Sequence, residues 1–192
     1  EKIPNKAFDL KKNNQASVTS ETQKIKRQIK ELLVSRNIME IISWSFSNKN
    51  WEENVTGDTD NIEILNPISE DLSCLRQTLL GGLLNIVNKN NNKDRQNISI
   101  FEIGPVFTGT HPGEQKDRLT IIRSGRAIDK NWTANNRNYD VFDIKSDLVS
   151  LLRLLKIPLD KIKIKNENNI FFHPGKSCSV YFSELKIASF GE

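Results

Sequence analysis

Glu102 is the residue whose setting most suggests chemistry. It stands between Phe101 and Ile103, in a stretch whose apolar side chains predict a buried strand. A carboxyl group among apolar neighbours either has a raised pKa and can act as a general base, or is held ionised by a cation. We favour a structural ion pair, with Arg76 or Arg118 as the cation.

The cysteines and histidines offer a second possible chemistry. His173 lies close to Cys178 in the chain, which suggests a Cys–His nucleophile. The sequence His-Pro-Gly predicts a turn, however, and Cys178 enters a predicted strand, so the two side chains need not converge. With Cys74 and His111 they lack the closely spaced pairs that zinc sites use. The sequence therefore predicts two buried, reduced thiols and no zinc site.

Two further motifs resemble ligand sites only superficially. Gly113–Lys116 is a loop with weak anion-binding potential, but the chain has neither a Gly-x-x-x-x-Gly-Lys-Ser/Thr loop nor a Gly-x-Gly-x-x-Gly motif. Asp143 and Asp147 are predicted to lie near the start of a helix, where a negative charge complements the helix dipole, rather than to form a metal pair. We therefore predict no catalytic residue, no cofactor site and no metal site in this segment.

The composition is that of a globular chain with a polar surface. Its 28 basic and 24 acidic residues leave a net charge of +4, and the mean hydropathy is −0.51. The basic residues are scattered, which does not favour nucleic-acid binding. No apolar run approaches the roughly 18 residues of a membrane helix. The chain begins at Glu1 without a signal-peptide pattern, and we expect a fragment of a longer protein.

Apolar residues at helical spacing predict three main helices and a short one. The predicted helices cover residues 20–37, Leu72–Val87 and Asp143–Leu155, with the short helix over Asn48–Asn54. Ser20 and Gln23 have the spacing of a capping box at the start of the first helix.

Alternating residues predict the strands. Ile42, Trp44 and Phe46 alternate with serines, which predicts a half-buried strand with its apolar face inward and its hydroxyl face outward. Further strands are predicted over Ile62–Leu65, Leu119–Ile122, Lys161–Lys165, Ser177–Phe182 and Ile187–Phe190. Ile98–Thr108 is predicted to be a strand that runs through Gly104-Pro105 into another short extended piece.

Together these elements predict an α+β fold, with an antiparallel sheet of about six strands flanked by three main helices. Residues 1–18 show no strong period and predict a linker from an upstream domain. Residues 19–192 are then expected to form one domain.

Several segments form a pattern when they are taken in order along the chain. They are the helix over 20–37 with the strand through Trp44, Asn66–Leu84, Phe101–Phe107 (FEIGPVF), Phe142–Asp147, Phe172–Ser177 and Phe190–Glu192. Together they resemble class II aminoacyl-tRNA synthetases, and more closely the β subunit of bacterial phenylalanyl-tRNA synthetase. The first helix and strand are similar to motif 1 of that class, Phe101–Phe107 is similar to the first strand of motif 2, and the other segments are similar to the β subunit.

The resemblance also implies a missing catalytic group. In active class II enzymes an arginine follows the motif 2 strand and holds the α-phosphate of ATP, and a second arginine comes from motif 3. Here Thr108 stands at the first position, and no Gly-rich motif 3 with an arginine follows in the sequence. A neutral side chain cannot supply the cation that stabilises adenylyl transfer. The implied module is catalytic-like but non-catalytic, with Arg76, Glu102, Thr108 and Arg118 around a vestigial pocket.

Partners follow from the same resemblance. In that family the module packs against the catalytic α subunit of an (αβ)2 heterotetramer. The complex attaches phenylalanine to its tRNA with ATP and magnesium, in the cytoplasm, and its editing and anticodon-binding parts would lie outside this segment. Two alternatives stay open: a divergent synthetase paralogue that retains an aminoacyl-ligand pocket around Glu102, and a tRNA-binding module that uses the lysine-rich stretch 24–30.

Overall fold

Helices and antiparallel strands are both present, so the predicted α+β class is confirmed. The computed structural model describes residues 19–57, 61–128, 132, 137–167 and 171–192. The predicted linker 1–18 lies outside these residues. None of the described helices is both long and apolar enough to cross a membrane.

The described residues contain four α-helices and eight strands. The helices are α1 (Glu21–Ser35), α2 (Lys49–Thr56), α3 (Leu80–Asn91) and α4 (Val141–Leu154). The strands are β1 (Met39–Glu40), β2 (Phe46–Ser47), β3 (Cys74–Leu75), β4 (Ile98–Phe107), β5 (Gln115–Ser124), β6 (Ile162–Lys165), β7 (Ser177–Phe182) and β8 (Leu185–Gly191). Short 3-10 turns cover Glu70–Leu72 and Leu159–Lys161.

The described strands form three sheets rather than one sheet of about six strands. β4 pairs in parallel with β1 and antiparallel with β5, β2 pairs with β3, and β7 lies between β6 and β8. One cause of the division lies between β1 and β2. The Ile41 amide still donates to the Phe101 carbonyl at 2.8 Å, but the Ser43 amide donates to the Glu102 side chain instead. The ladder therefore ends there.

Strand β4 is the centre of the fold because side chains cover both of its faces. On one face Ile98, Ile100 and Val106 pack with three residues of or next to α3, which are Leu79, Leu83 and Val87. On the other face Phe101 packs with residues of α1, of the turn after it and of α4, which are Leu33, Ile38 and Leu151. Helices thus lie on both sides of this sheet.

The predicted strand that runs through Gly104-Pro105 is confirmed, as the single strand β4. β1 pairs only with Ile100 and Phe101, so β4 has no ladder partner beside Pro105 on that side. The Pro105 carbonyl points to that side, where it accepts a hydrogen bond from Arg76, and the proline nitrogen points the same way. A proline is tolerated where no ladder hydrogen bond is lost.

The predicted helix Leu72–Val87 is wrong in its first half, since α3 begins only at Leu80. Cys74 pairs with Ser47 in β2 and bridges to Glu63 on its other side. Strand pairing therefore takes the backbone groups that a helix would need, and tertiary context overrides the apolar spacing. The predicted strand Ile62–Leu65 is reduced to that single bridge.

The alternation before β2 is present, but its faces are the reverse of those predicted. Ile42 and Trp44 are 88% and 73% exposed. Ser43 lies between them and points inward, where its hydroxyl donates to Glu102 at 2.7 Å. The buried carboxylate needs a polar partner, and this need decides which face of the segment is buried.

The helix starts agree with their capping signals. Ser20 and Gln23 form the predicted capping box of α1. Helix α4 begins slightly before the predicted Asp143, because Asp140 is its N-cap and forms a second capping box with Asp143. The predicted strand over Lys161–Lys165 and the predicted C-terminal hairpin are confirmed as β6, β7 and β8.

Candidate functional site

Arg76 and Glu102 form a buried ion pair against β4. Arg76 Nη1 lies 2.7 Å from Glu102 Oε1, and the two side chains are 5% and 2% exposed. The main chain fixes Arg76 as well: its amide donates to the Ser45 carbonyl and its carbonyl accepts from the Phe107 amide, both at 3.0 Å. The structural ion pair predicted for Glu102 is confirmed, with Arg76 as the partner.

Further hydrogen bonds join this arginine to protein acceptors. Arg76 Nε donates to the Pro105 carbonyl at 2.9 Å, and Nη1 also lies within hydrogen-bond distance of Ser43 Oγ (2.9 Å) and the Trp44 carbonyl (3.3 Å). Ser43 donates to Glu102 from its hydroxyl at 2.7 Å and from its amide at 3.3 Å. The carboxylate is engaged by a cation, a hydroxyl and an amide, which is the arrangement of a structural network and not of a general base.

Side chains fill the sheet face that carries Glu102. Leu79, Leu83 and Val87 pack on this face. Beside them the Arg76 guanidinium lies so close to Gly104 that a Cβ at Gly104 would overlap it. The absence of a side chain at Gly104 is what admits the guanidinium between β4 and the segment before β2.

Thr108 begins the loop between β4 and β5, and hydrogen bonds to Glu114 close this loop. The Thr108 amide and hydroxyl donate to the Glu114 carbonyl at 2.9 and 3.1 Å. The Glu114 carboxylate folds back into the turn, where it accepts from the His111 amide at 2.8 Å and covers Gly109. The turn after the motif 2-like strand thus encloses a carboxylate, whose negative charge opposes the binding of a phosphate group.

Only part of the predicted vestigial pocket comes together. Arg76 and Glu102 are in contact, whereas Arg118 is exposed on β5 opposite Gly104 and Thr108 is exposed at the end of β4. Two surface grooves of about 340 and 260 Å³ are lined by other residues. As a ligand site, the set of four residues stays a prediction.

A second buried carboxylate, Asp147 in α4, joins three elements. Its side chain is fully buried, with Oδ1 2.5 Å from Arg36 Nε and Oδ2 2.7 Å from Arg123 Nε. The Tyr139 hydroxyl lies 3.2 Å from Arg123 Nη1. Burial acts to lower the pKa of Arg123, but the hydrogen bonds and charge of Asp147 outweigh it and raise that pKa. Asp147 therefore links α4 to β5 and to the end of α1.

Sequence reasoning missed the role of Asp147, although one signal was available. Asp147 precedes the buried Leu151 by one helical turn and therefore lies on the buried face of α4. A carboxylate on a buried face needs a partner. Its partners Arg36 and Arg123 lie 111 and 24 positions away, so the sequence did not identify them.

Asp143 has the helix-start role that was predicted for it. Its carboxylate binds Arg137 through two hydrogen bonds of 2.7 and 2.8 Å and also accepts from the Asp140 amide at 3.0 Å. The hydrogen bond from Arg137 is the main reason why the pKa of Asp143 falls to about 2. Within the described ranges no group of three or more His, Cys, Asp or Glu residues could hold a metal ion.

The cysteines and histidines form no nucleophilic arrangement in the described residues. Cys74 is buried, and burial, followed by the charge of Glu52, raises the pKa of its thiol to about 11. Cys178 is a half-buried free thiol in β7, so the prediction of two buried thiols holds for Cys74 alone. His173 Nδ1 accepts from the Gly175 amide at 3.1 Å, and the imidazole is part of its own turn.

The cations of the lysine-rich stretch 24–30 are paired with carboxylates. The ion pairs are Lys24–Glu21 (2.7 Å), Lys26–Asp117 (2.6 Å), Arg27–Glu31 (2.9 Å) and Lys30–Glu40 (2.5 Å). A nucleic-acid interface needs cations in excess, because its affinity comes from phosphate neutralisation. This face of α1 is close to neutral, which disfavours the tRNA-binding alternative.

Sequence comparison finds phenylalanine–tRNA ligase β subunits among the relatives of this chain. Residues 9–192 match the family model described as "Phenylalanyl tRNA synthetase beta chain CLM domain". A phenylalanine–tRNA ligase beta subunit of Ehrlichia canis is 35% identical over 166 residues, which cover 86% of this chain and 21% of the relative. The corresponding subunit of Burkholderia lata is 31% identical over 202 residues, which cover 100% of this chain and 24% of the relative. The chain thus spans about a fifth to a quarter of the length of these relatives.

Structural comparison gives the same fold at lower sequence similarity. A pyrrolysyl-tRNA synthetase of Desulfitobacterium hafniense matches with a TM-score of 0.65 and 14% identity, over 89% of this chain and 58% of that chain. At this identity the match concerns the fold alone. The predicted synthetase-like fold is confirmed.

Proposed function

Because this chain belongs to the phenylalanyl-tRNA synthetase β-chain CLM domain family, we propose that it is a non-catalytic, synthetase-like module of a phenylalanine–tRNA ligase β subunit. Its role is assembly: it supports the catalytic α subunit within an (αβ)2 complex. In this proposal residues 19–192 form one domain, and the complex works in the cytoplasm, where it uses ATP and magnesium to join phenylalanine to its tRNA.

The packed face of β4 is the observation that carries the proposal. A catalytic site for adenylate formation needs an open face with cations directed at the phosphates. Here the buried cation of that face, Arg76, binds Glu102 and the Pro105 carbonyl, and apolar side chains of α3 cover the neighbouring surface. In this proposal the face therefore contributes to the stability of the fold and does not bind a substrate.

The residues at the end of the motif 2-like strand do not suit a nucleotide. Thr108 carries no charge, and the Glu114 carboxylate occupies the turn that follows it. A magnesium–ATP complex would bring its phosphates toward a group of like charge. We therefore assign ATP, magnesium and the phenylalanine site to the α subunit.

A calorimetric titration of this chain with magnesium–ATP tests the non-catalytic part. We expect no saturable heat, and also no phenylalanine-dependent pyrophosphate exchange. A Thr108→Arg variant is the matched control, and it should also fail, because the packed face remains closed. A micromolar dissociation constant for ATP in the unmodified chain would contradict the proposal.

Sedimentation of the complete β chain with the α subunit tests the assembly part. We expect a stable complex with equal numbers of the two chains. Deletion of the segment that corresponds to residues 19–192 should abolish it. A complex that forms unchanged without this segment would show that other parts of the β chain are sufficient, and the proposed role would be wrong.

A further inference from the structure

A polar groove of about 260 Å³ lies at the end of the central sheet that is opposite the loop at Thr108. Its polar lining comes from three separate segments: Asn97 and Ser99 at the start of β4, Arg126 after β5, and Tyr139 before α4. None of the described residues that line it is an aspartate or a glutamate. The groove has no part in the function proposed above, so its purpose is a separate question.

Arg126 is the cation of this groove. The arginines on either side of it in the chain are paired, Arg123 with Asp147 and Arg137 with Asp143. Arg126 is exposed and forms no ion pair with a described residue. Its backbone is fixed, because the amides on both sides of the bridge between residues 126 and 138 are hydrogen-bonded. An unpaired guanidinium presents several N–H donors in a planar fork, which matches the oxygens of an anion.

The turn at Gly125 orients the Asn97 carboxamide. Asn97 Oδ1 accepts from the Arg126 amide at 2.9 Å. Gly125 has a φ of 79°, and a Cβ at this position would lie 2.6 Å from Asn97 Oδ1 and 2.4 Å from the Gln96 carbonyl oxygen. Only glycine therefore leaves room for the carboxamide here. With its oxygen bound to the backbone, Asn97 can offer the hydrogens of its amide nitrogen to the groove.

The Ser99 and Tyr139 hydroxyls supply a further donor. Arg123 Nη1 donates to Ser99 Oγ at 3.3 Å and to the Tyr139 hydroxyl oxygen at 3.2 Å. Ser99 also donates to Tyr139 at 3.1 Å. These contacts use one of the two hydroxyl hydrogens, and none of the described residues accepts the other. A hydroxyl hydrogen at the groove wall is thus available to a ligand.

The buried charges behind the groove favour an anion. Asp147 is shared by Arg36 and Arg123, so this cluster of three carries one positive charge in excess. The opposing carboxylates Asp140 and Asp143 lie at the start of α4, where backbone amides bind both of them. An anion in the groove would therefore meet a positive charge behind it as well as the guanidinium at its rim.

We propose that this groove binds the phosphate group of a small molecule, either inorganic phosphate or a small phosphomonoester. Donors on three segments suit a tetrahedral group with three or four oxygens better than the two oxygens of a carboxylate. The volume of about 260 Å³ lies below the about 300–1,000 Å³ of pockets for larger ligands, so a nucleoside triphosphate does not fit. A nucleic acid would need a row of cations, whereas the groove has one. The proposal does not depend on the proposed function.

Titration of this chain with inorganic phosphate, followed by nitrogen–proton NMR at constant ionic strength, tests the proposal. We expect saturable shifts of the amide signals of residues 97–99, 126–127 and 139. Glycerol 3-phosphate should shift the same signals, because it carries the same phosphate group. Acetate, which offers only a carboxylate, should bind more weakly than phosphate.

Variants of the donors test which residues bind the phosphate. Arg126→Met should weaken binding about tenfold, the loss expected for hydrogen bonds to a charged group. This variant should fold, because the side chain of Arg126 is exposed. Arg126→Lys should recover part of the affinity, since it restores the charge without the fork. Tyr139→Phe keeps the ring against Arg123 and should weaken binding about threefold.

Arg118→Met is the matched control, because it removes an exposed arginine that lies on β5 opposite Gly104. It should leave the affinity for phosphate unchanged. Equal losses in Arg118→Met and Arg126→Met would show attraction to the general positive charge of the chain and no built site. That result would overturn the proposal.

Three further outcomes would overturn it. The absence of saturable shifts around Arg126 would show that the groove does not bind phosphate. Tighter binding of acetate than of phosphate would make it a carboxylate site, and tighter binding of an oligonucleotide that is lost in Arg126→Met would make a nucleic acid the ligand. Binding of magnesium–ATP that persists in Arg126→Met would instead contradict the proposed function, because it would come from another site.

Discussion

Arg76 Nη1 lies 2.7 Å from Glu102 Oε1, although the two residues belong to different parts of the fold. Arg76 directly follows β3, and Glu102 lies within β4. Removal of one charge from a buried pair leaves the other without compensation, whereas removal of both leaves a neutral site. The two cases differ strongly in their effect on stability.

Arg76→Met should therefore lower the free energy of unfolding by about 3–5 kcal/mol, because Glu102 keeps its charge without its cation. The Arg76→Met/Glu102→Leu variant should recover more than half of that loss. Urea denaturation followed by circular dichroism measures both variants. Additive losses in the double variant would show that the two side chains are not energetically coupled.

A glycine next to this pair gives a second prediction. A Cβ at Gly104 would overlap the Arg76 guanidinium, so Gly104→Ala should destabilise the chain by at least 1 kcal/mol, in the range typical of overpacked cores. Gly81→Ala is the matched control. At Gly81 a Cβ would meet Glu52 Oε1 at 3.7 Å and Val55 Cγ2 at 3.8 Å, which are ordinary contacts.

Gly81→Ala should stabilise the chain by about 0.5–1 kcal/mol, because alanine has the higher helix propensity. Thermal and urea unfolding of the two variants, measured side by side, check the opposite signs. Equal effects of the two substitutions would mean that the Arg76 guanidinium can move away from Gly104 without a loss of stability.

The sequence predicts features whose causes are local. Ser20 and Gln23 form their capping box within one helical turn, so both partners are visible in four consecutive residues. The C-terminal hairpin is predicted for the same reason, since its turn joins strands that are adjacent in the chain. Short-range hydrogen bonds of this kind need no knowledge of the rest of the fold.

Features with distant causes were predicted wrongly or in part. The alternation of Ile42, Ser43 and Trp44 gives the period of the segment but not the face that is buried. That choice depends on Glu102, which lies 59 positions from Ser43. The sequence predicted that Glu102 forms an ion pair, but it left Arg76 and Arg118 as equal candidates for the partner. The structure identifies Arg76, because the chain after β3 brings this residue next to Glu102.

The Asp147 cluster gives a third prediction, which ranks three variants by how much stability each one loses. Asp147→Asn leaves the charges of both Arg36 and Arg123 uncompensated and should cost about 3–5 kcal/mol. Arg123→Met should cost less, because Arg36 still neutralises the carboxylate. Arg36→Met should cost least, since its side chain is 29% exposed against 7% for Arg123. Chemical denaturation of the three variants gives the ranking, and a larger loss for Arg36→Met than for Arg123→Met would contradict it.

The Asp143–Arg137 pair makes stability depend on acidic pH. Arg137 lowers the pKa of Asp143 from 3.8 to about 2 in the folded chain. The folded state therefore holds the proton less tightly than the unfolded state, and the stabilisation is fully present above pH 3.8 and is lost as the pH falls toward 2. Asp143→Asn removes this dependence, so its free energy of unfolding should fall less steeply over that window than that of the unmodified chain.

Arg137→Met is the control for the cause of the lowered pKa. It leaves Asp143 in place at the start of α4 but removes the hydrogen bonds of 2.7 and 2.8 Å. Its stability should therefore also depend less on pH than that of the unmodified chain, although the capping contact with the Asp140 amide remains. Urea denaturation of the three proteins at several pH values between about 2 and 5 measures the slopes. If Arg137→Met keeps the full slope, the hydrogen bond from the arginine is not what lowers the pKa of Asp143.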